Sequence, residues 1–241
     1  MALYAMSDLH LSLSAQKPMD VFGSSWQNYM EKISDNWQRI VTDGDAVVVG
    51  GDISWAMYMD EAYDDFKFLD ALPGKKFLSR GNHDYWWQTL AKMKAYVLSN
   101  GFDTISFIQN DAFIFENKSV AATRGWILPS SDSFGTEDKK IYERELIRLS
   151  LACDAMEKSE KQNPGSEFER IVVLHYPPVS SNGKPDEGIF GIFRKYGIKK
   201  CVYGHLHGPA HQSAFCGNLD GIELKLVSAD YLKFIPCNLD F

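Results

Sequence analysis

The chain has 241 residues, 45% of them hydrophobic and 24% charged, a composition typical of a globular protein rather than of a disordered chain. Its formal net charge of -7 argues against the broad basic surface that extended nucleic-acid binding requires. Because the N-terminus lacks a signal-peptide pattern and no apolar run approaches the roughly 18 residues of a membrane span, we expect one cytoplasmic domain over residues 1–241 without a membrane partner.

Short apolar runs alternate along the chain with longer stretches of helical period, a pattern that predicts an α/β fold. The strands are predicted at residues 2–6, 46–49, 76–78, 171–174 and 200–203. The helices are predicted at residues 26–40, 61–72, 87–98, 138–160 and 189–196. Two further segments, residues 105–122 and 212–235, have the character of β-hairpins and therefore predict a second sheet.

Acidic, amide and imidazole side chains follow each of the five predicted strands. In chain order these residues are Asp8 and His10, then Asp52, then Asn82, His83 and Asp84, then His175, and finally His205 and His207. Residues that follow parallel strands converge at the carboxyl edge of a sheet. Imidazole and carboxylate together suit Mn, Fe or Zn. The sequence therefore predicts a metal site built from strand ends.

The order Asp-x-His, Gly-Asp, Gly-Asn-His-Asp, His and Gly-His-x-His resembles that of the calcineurin-like metallophosphoesterase superfamily, and it extends over residues 8–207. The resemblance implies a four-layer α/β/β/α sandwich, in which two mixed β-sheets are flanked by helices. It also implies two divalent metal ions and their ligands. One ion would be held by Asp8, His10 and His207, the other by Asn82, His175 and His205, and Asp52 would bridge them.

The same resemblance implies a hydrolase of phosphate mono- or diesters that works by in-line attack of a metal-bridging hydroxide. His83 would donate a proton to the leaving oxygen or stabilise charge in the transition state, and the adjacent Asp84 would orient the imidazole ring. The expected partner is a small or nucleotide-like phosphate ester, and the ions would be Mn, Fe or Zn.

Two other functions are consistent with this motif set, and we weigh each against the residues. Ser/Thr protein phosphatases extend the second motif with an arginine that grips phosphate, whereas Asp52-Ile53-Ser54-Trp55 contains none. Some members of the superfamily have lost metal ligands and act as scaffolds, but the ligand set is complete here. A Rossmann dinucleotide site is disfavoured because no Gly-x-Gly-x-x-Gly follows the first strand.

Three further features lie near the motifs. Tyr85, Trp86 and Trp87 either wall the substrate pocket or pack into the core, and core packing is favoured. Arg124 either reaches a substrate phosphate or forms a surface ion pair. The polar loop over residues 129–137 is a candidate lid over the site.

Overall fold

The structure, a computed structural model, describes residues 1–15, 17 and 19–241. It contains two compact units: the first unit comprises residues 1–107 and 227–241, and the second unit comprises residues 108–226. Each unit has one mixed β-sheet and its own helices, so the predicted α/β class with two mixed sheets flanked by helices is confirmed. The assignment of residues 1–241 to a single domain stays a prediction.

The structure has eleven strands and five α-helices in its described residues. The strands are β1 Leu3–Met6, β2 Ala46–Val49, β3 Lys75–Leu78, β4 Ile105–Phe107, β5 Asp111–Phe115, β6 Lys118–Thr123, β7 Glu169–Leu174, β8 Lys200–Tyr203, β9 Gly217–Leu219, β10 Ile222–Leu226 and β11 Cys237–Asn238. The helices are α1 Tyr29–Ile40, α2 Tyr63–Ala71, α3 Leu90–Ser99, α4 Thr136–Lys161 and α5 Glu187–Tyr196.

The sheet of the first unit has the order β11-β1-β2-β3-β4. Strands β1 to β4 are parallel, and only β11 runs antiparallel, against β1. Helix α1 buries Ile33 and Trp37 in the core of this unit, and the Trp37 indole donates a hydrogen bond of 2.9 Å to the carbonyl of Pro73. Because β1, β2 and β3 are adjacent and parallel, the residues that follow them emerge at one edge of the sheet.

The sheet of the second unit has the order β5-β6-β7-β8-β10-β9. Its four central strands are parallel, while β5 and β9 are antiparallel edges formed by hairpins. Leu149 and Cys153 of α4 and Phe190 and Phe193 of α5 lie in the core of this unit. The carboxyl ends of its parallel strands again share one edge.

Several details differ from the sequence predictions. The helix predicted over residues 26–40 begins at Tyr29, after a short 3-10 helix over Ser24–Trp26. Residues 105–122 do not form one hairpin, because β4 pairs with β3 in the first sheet and only β5 and β6 pair as a hairpin in the second. The predicted helix over residues 87–98 begins three residues later, at Leu90, because residues 83–89 form turns and extended chain. No helix in the described part of the chain has the length and apolar character needed to cross a membrane.

Candidate metal centre

In the first unit, three parallel strands deliver the predicted ligands. Asp8 and His10 follow β1, Asp52 follows β2, and the loop with Asn82 follows β3. The ladder between the first two strands continues past their ends, since the amide of Asp8 donates to the carbonyl of Gly51 at 2.8 Å and the amide of His10 to that of Asp52 at 3.0 Å. The ligand-bearing segments are thus fixed to each other through their backbones.

The backbone at these predicted ligands is left-handed. Asp8, His10 and Asp52 have φ angles of 62°, 47° and 52°. Non-glycine residues seldom adopt this conformation, and when they do it is commonly at functional sites, where it costs about 1–3 kcal/mol each. At these three residues the left-handed backbone interrupts the extended conformation of a strand, in which successive side chains point to opposite faces.

The side chains of these three residues lie at distances that suit metal coordination. A carboxylate oxygen of Asp8 lies within 4.8 Å of a ligand atom of His10 and of a carboxylate oxygen of Asp52. His10 Nε2 lies 3.8 Å from Asp52 Oδ2. All three residues are at most 3% exposed. Donor atoms that share an ion at about 2.0–2.2 Å each have comparable separations, so this buried carboxylate and imidazole set fits a divalent metal.

Two glycines allow the loops after β2 and β3 to pack together. A Cβ on Gly51, whose φ is 97°, would stand 2.6 Å from the amide nitrogen of Gly81. A Cβ on Gly81 would overlap the carboxylate of Asp52. The backbone of the third motif can therefore reach this carboxylate, and the His83 amide donates to Asp52 Oδ1 at 2.7 Å.

Asp84 has a different role from the one expected, since its carboxylate holds backbone rather than the His83 ring. It accepts hydrogen bonds from the amides of Gly81 at 2.7 Å, Asp52 at 2.9 Å, Ile53 at 2.9 Å and Ser54 at 3.3 Å. Complete burial raises the pKa of Asp84 to about 6, although the four N–H donors favour the charged form. Asp84 thus joins the loop after β3 to the loop after β2.

Aromatic rings surround the histidines of the first unit. Trp55 stacks on His10 with ring centroids 4.8 Å apart and packs against His83 at 4.5 Å. The sequence analysis did not predict this packing role of Trp55. The one feature of the sequence that indicates it is the position of this aromatic residue three residues after Asp52. Trp86 and Trp87 are 1% and 7% exposed and lie in the core of the first unit, so core packing is confirmed for these two residues. It is wrong for Tyr85, whose side chain is 52% exposed.

The remaining residues of the third motif lie in the same loop. Asn82 and His83 are both half-buried, and the centroid of the His83 ring is 5.8 Å from that of His10. The loop therefore brings the His83 imidazole close to the Asp8, His10 and Asp52 group. His83 does not belong to the group of residues whose ligand atoms lie within 4.8 Å of one another.

In the second unit, two adjacent parallel strands deliver the other predicted ligands. His175 follows β7 and is buried, whereas His205 and His207 follow β8 and are half-buried. The Gly204 amide donates to the His175 carbonyl at 3.1 Å, and the rings of His175 and His205 have centroids 5.2 Å apart. His205, with a φ of 72°, also has the left-handed backbone seen at Asp8, His10 and Asp52.

Arg124 follows β6 and forms a largely buried ion pair. Its guanidinium lies 3.1 Å from Glu145 of α4 and over the ring of Trp126, 4.4 Å from the centroid. Glu145 also binds Arg148 at 2.6 Å. Of the two interpretations of Arg124, the structure shows the ion pair. The pair is more buried than the expected surface pair, since the side chains of Arg124 and Glu145 are 16% and 3% exposed.

Comparison with known proteins adds a family and a fold. The model of the calcineurin-like phosphoesterase family matches residues 1–209. No curated protein matches the chain. A phosphopantetheinyl hydrolase from Mycobacterium tuberculosis is similar in structure, with a TM-score of 0.51, 14% identity and coverage of 99% of this chain and 95% of that chain.

Two other solved structures are similar to a comparable degree. A protein of unknown function, AQ665 from Aquifex aeolicus, has a TM-score of 0.50 at 16% identity and covers 98% of this chain and 95% of its own. The protein TT1561 of Thermus thermophilus has a TM-score of 0.51 at 12% identity and covers 85% of this chain and 81% of its own. Identities this low show a shared fold and carry no information about substrate.

Proposed function

Because the chain belongs to the calcineurin-like phosphoesterase family, we propose that it hydrolyses small phosphate esters with two divalent metal ions. One observation carries the proposal: Asp8, His10 and Asp52 are buried, stand within coordinating distance of one another and have backbones bent into the left-handed region. Buried carboxylates are costly unless they are paired or bind a cation, so this group supports a metal-dependent reaction.

The proposed ligands follow the family pattern. One ion would be held by Asp8, His10 and His207, the other by Asn82, His175 and His205, with Asp52 between them. The donor set of carboxylate, amide and imidazole suits Mn, Fe or Zn. When bound, two divalent ions activate a bridging water for in-line attack and stabilise negative charge on the phosphate oxygens.

The residues of the chain would supply position and a proton. The His83 amide holds Asp52 Oδ1, and Trp55 packs against the rings of both His10 and His83. This packing supports a fixed His83 ring, which we propose donates its proton to the oxygen of the departing alcohol. Asp84 would act indirectly, by holding the loops of Asp52 and His83 together.

The expected substrates are small or nucleotide-like phosphate mono- or diesters, with diesters slightly favoured. The absence of an arginine after Asp52 disfavours a Ser/Thr-type protein phosphatase, and the complete motif set disfavours a metal-binding scaffold without turnover. The solved phosphopantetheinyl hydrolase of similar fold makes a phosphopantetheinyl ester one useful test compound. Cytoplasmic location stays a prediction.

The central test removes and restores the metal. Chelated protein should be inactive on p-nitrophenyl phosphate and bis-p-nitrophenyl phosphate, and added Mn should restore turnover. Asp52→Asn should lower kcat by about a thousandfold, because it removes the proposed bridging charge while Oδ1 can still accept from His83. Asp35→Asn, on the exposed face of α1, is the matched control and should retain full activity. Tight metal binding without turnover on any ester would instead support a scaffold.

A second test concerns the proton donor. His83→Ala should lower kcat about a hundredfold on a methyl ester, whose alkoxide needs a proton, and much less on a p-nitrophenyl ester, whose leaving group does not. His211→Ala, which removes the one histidine outside the motifs, is the control. Equal losses on both esters would rule out proton donation by His83.

A further inference from the structure

A cavity of about 670 Å³ opens in the second unit beside His205. Three segments form its wall: the chain after β6, the chain after β7 and the chain after β8. Ser130 to Ser133, in the loop identified from sequence as a candidate lid, belong to this wall. A volume of this size is typical of sites for small molecules.

The wall is rich in neutral hydrogen-bonding groups. Six serines contribute to it: Ser130, Ser131, Ser133, Ser180, Ser181 and Ser213. Asn182 adds an amide and Asp132 the single carboxylate of the wall, while none of its described residues is a lysine or an arginine. A second phosphate or another anionic group would meet no lysine or arginine there and would face Asp132. The lining therefore favours a neutral polar group.

Some of these hydroxyl and amide side chains are held in place by hydrogen bonds to each other. The Ser180 hydroxyl donates to Asn182 Oδ1 at 2.6 Å, which leaves the Asn182 amide N–H groups available as donors. Ser131 and Ser133 lie 2.9 Å apart through their hydroxyl oxygens. Rings also contribute, since Trp126 and Tyr176 pack with centroids 5.3 Å apart in the same wall. Hydroxyl and amide groups beside aromatic rings suit a ligand that presents both hydroxyls and C–H surface.

The cavity begins at a proposed metal ligand. Tyr176, which lines it, packs against the ring of His205 at 4.2 Å. We propose that this cavity binds one alcohol arm of the phosphate ester and that this arm is a neutral polyol such as a sugar. The inference rests on the proposed function, because it requires the phosphate to lie at the metal ions.

The test compares diesters that share p-nitrophenol as the leaving group and differ in the retained arm: methyl, glucose linked through its 6-oxygen, and phosphoethyl. With Mn present, kcat/KM should be about tenfold higher for the glucose ester than for the methyl ester, as expected for one or two additional hydrogen bonds, and lowest for the phosphoethyl ester. Equal values for the methyl and glucose esters would overturn the inference while leaving the phosphoesterase function intact.

Two variants locate the effect in the cavity. Asn182→Leu should remove most of the glucose preference, because kcat/KM should fall much more for the glucose ester than for the methyl ester. Asp132→Lys should raise kcat/KM for the phosphoethyl ester several-fold, because it introduces a cation into the wall. Glu167→Lys, an exposed charge reversal elsewhere in the second unit, is the matched control and should change none of the ratios. The inference would be overturned by two results together: a glucose preference that survives Asn182→Leu, and a kcat/KM for the phosphoethyl ester that is unchanged in Asp132→Lys.

A binding measurement separates this inference from catalysis. Calorimetry on the Mn-loaded protein should show about tenfold tighter binding of glucose 6-phosphate than of methyl phosphate. Equal affinities would contradict the polyol site even if no ester were hydrolysed. Tighter glucose 6-phosphate binding in a protein that hydrolyses nothing would uphold the site and reject the proposed function.

Discussion

The two units hold their strand-end loops with carboxylates in different ways. In the first unit, Asp84 is completely buried and accepts four backbone N–H groups from the loops after β2 and β3. In the second unit, Glu145 lies on helix α4 and binds the side chains of Arg124 and Arg148. Backbone donors cannot move away, whereas arginine side chains can reorient. The difference indicates that the carboxylate contacts are rigid in the first unit and more adaptable in the second.

The largest expected effect is that of Asp84→Asn. The amide N–H₂ would face backbone donors that now bind a carboxylate, so buried donors would lose their partner, and we expect the free energy of unfolding to fall by about 3 kcal/mol. Urea denaturation of the metal-free protein measures this change, with Asp35→Asn as the exposed control. A loss within error of the control would show that the four hydrogen bonds do not fasten these loops.

The corresponding carboxylate-to-amide substitution in the second unit should lower the free energy of unfolding by a smaller amount. Glu145→Gln weakens the pairs with Arg124 and Arg148, whose side chains are 16% and 36% exposed and can recover hydration, so we expect a loss of about 2 kcal/mol. Glu143→Gln, on the exposed face of the same helix, should leave the free energy of unfolding unchanged. If Glu145→Gln costs more than Asp84→Asn, the proposed contrast between the units is reversed.

A third and smaller effect concerns pH and the first unit alone. Lys76 is fully buried, and its Nζ donates to the carbonyl oxygens of Leu72 and of Gly74, the latter at 2.8 Å. Burial lowers the pKa of Lys76 to about 8, against the raising effect of Asp70 and Asp43. The folded state therefore binds the Lys76 proton less strongly than the unfolded state does, whose lysine has its ordinary value of 10.5.

The sign of the pH dependence follows from that difference. Between the two pKa values the unfolded state holds more protons, so the free energy of unfolding should rise with pH, by about 1 kcal/mol from about pH 7 to about pH 9. Lys76→Met should lack this rise, and urea denaturation of both proteins across that range measures the difference. Parallel pH profiles for the two proteins would falsify the lowered pKa.

Strand positions were predictable because each strand is a short apolar run bounded by glycine or polar residues. The predicted strands at residues 171–174 and 200–203 lie within β7 and β8, and the predicted ligands all follow strands. The assignment of strands to sheets was not predictable in this way. Strand β4 pairs with β3, about thirty residues earlier in the chain, although its own sequence resembles one arm of a hairpin.

The sequence by itself determined the residue types of the site, their order and their positions at strand ends, because these follow from local patterns and from a motif order specific enough to indicate a family. Only the tertiary structure decided what those side chains meet. Asp84 lies beside His83 in sequence, yet it binds the amides of residues 52 to 54, some thirty positions away. Trp55 meets two histidines from different loops, and Asp8, His10 and Asp52 adopt a backbone conformation that their residue types do not prefer. Such contacts arise from chain segments that folding brings together, and no local pattern records them.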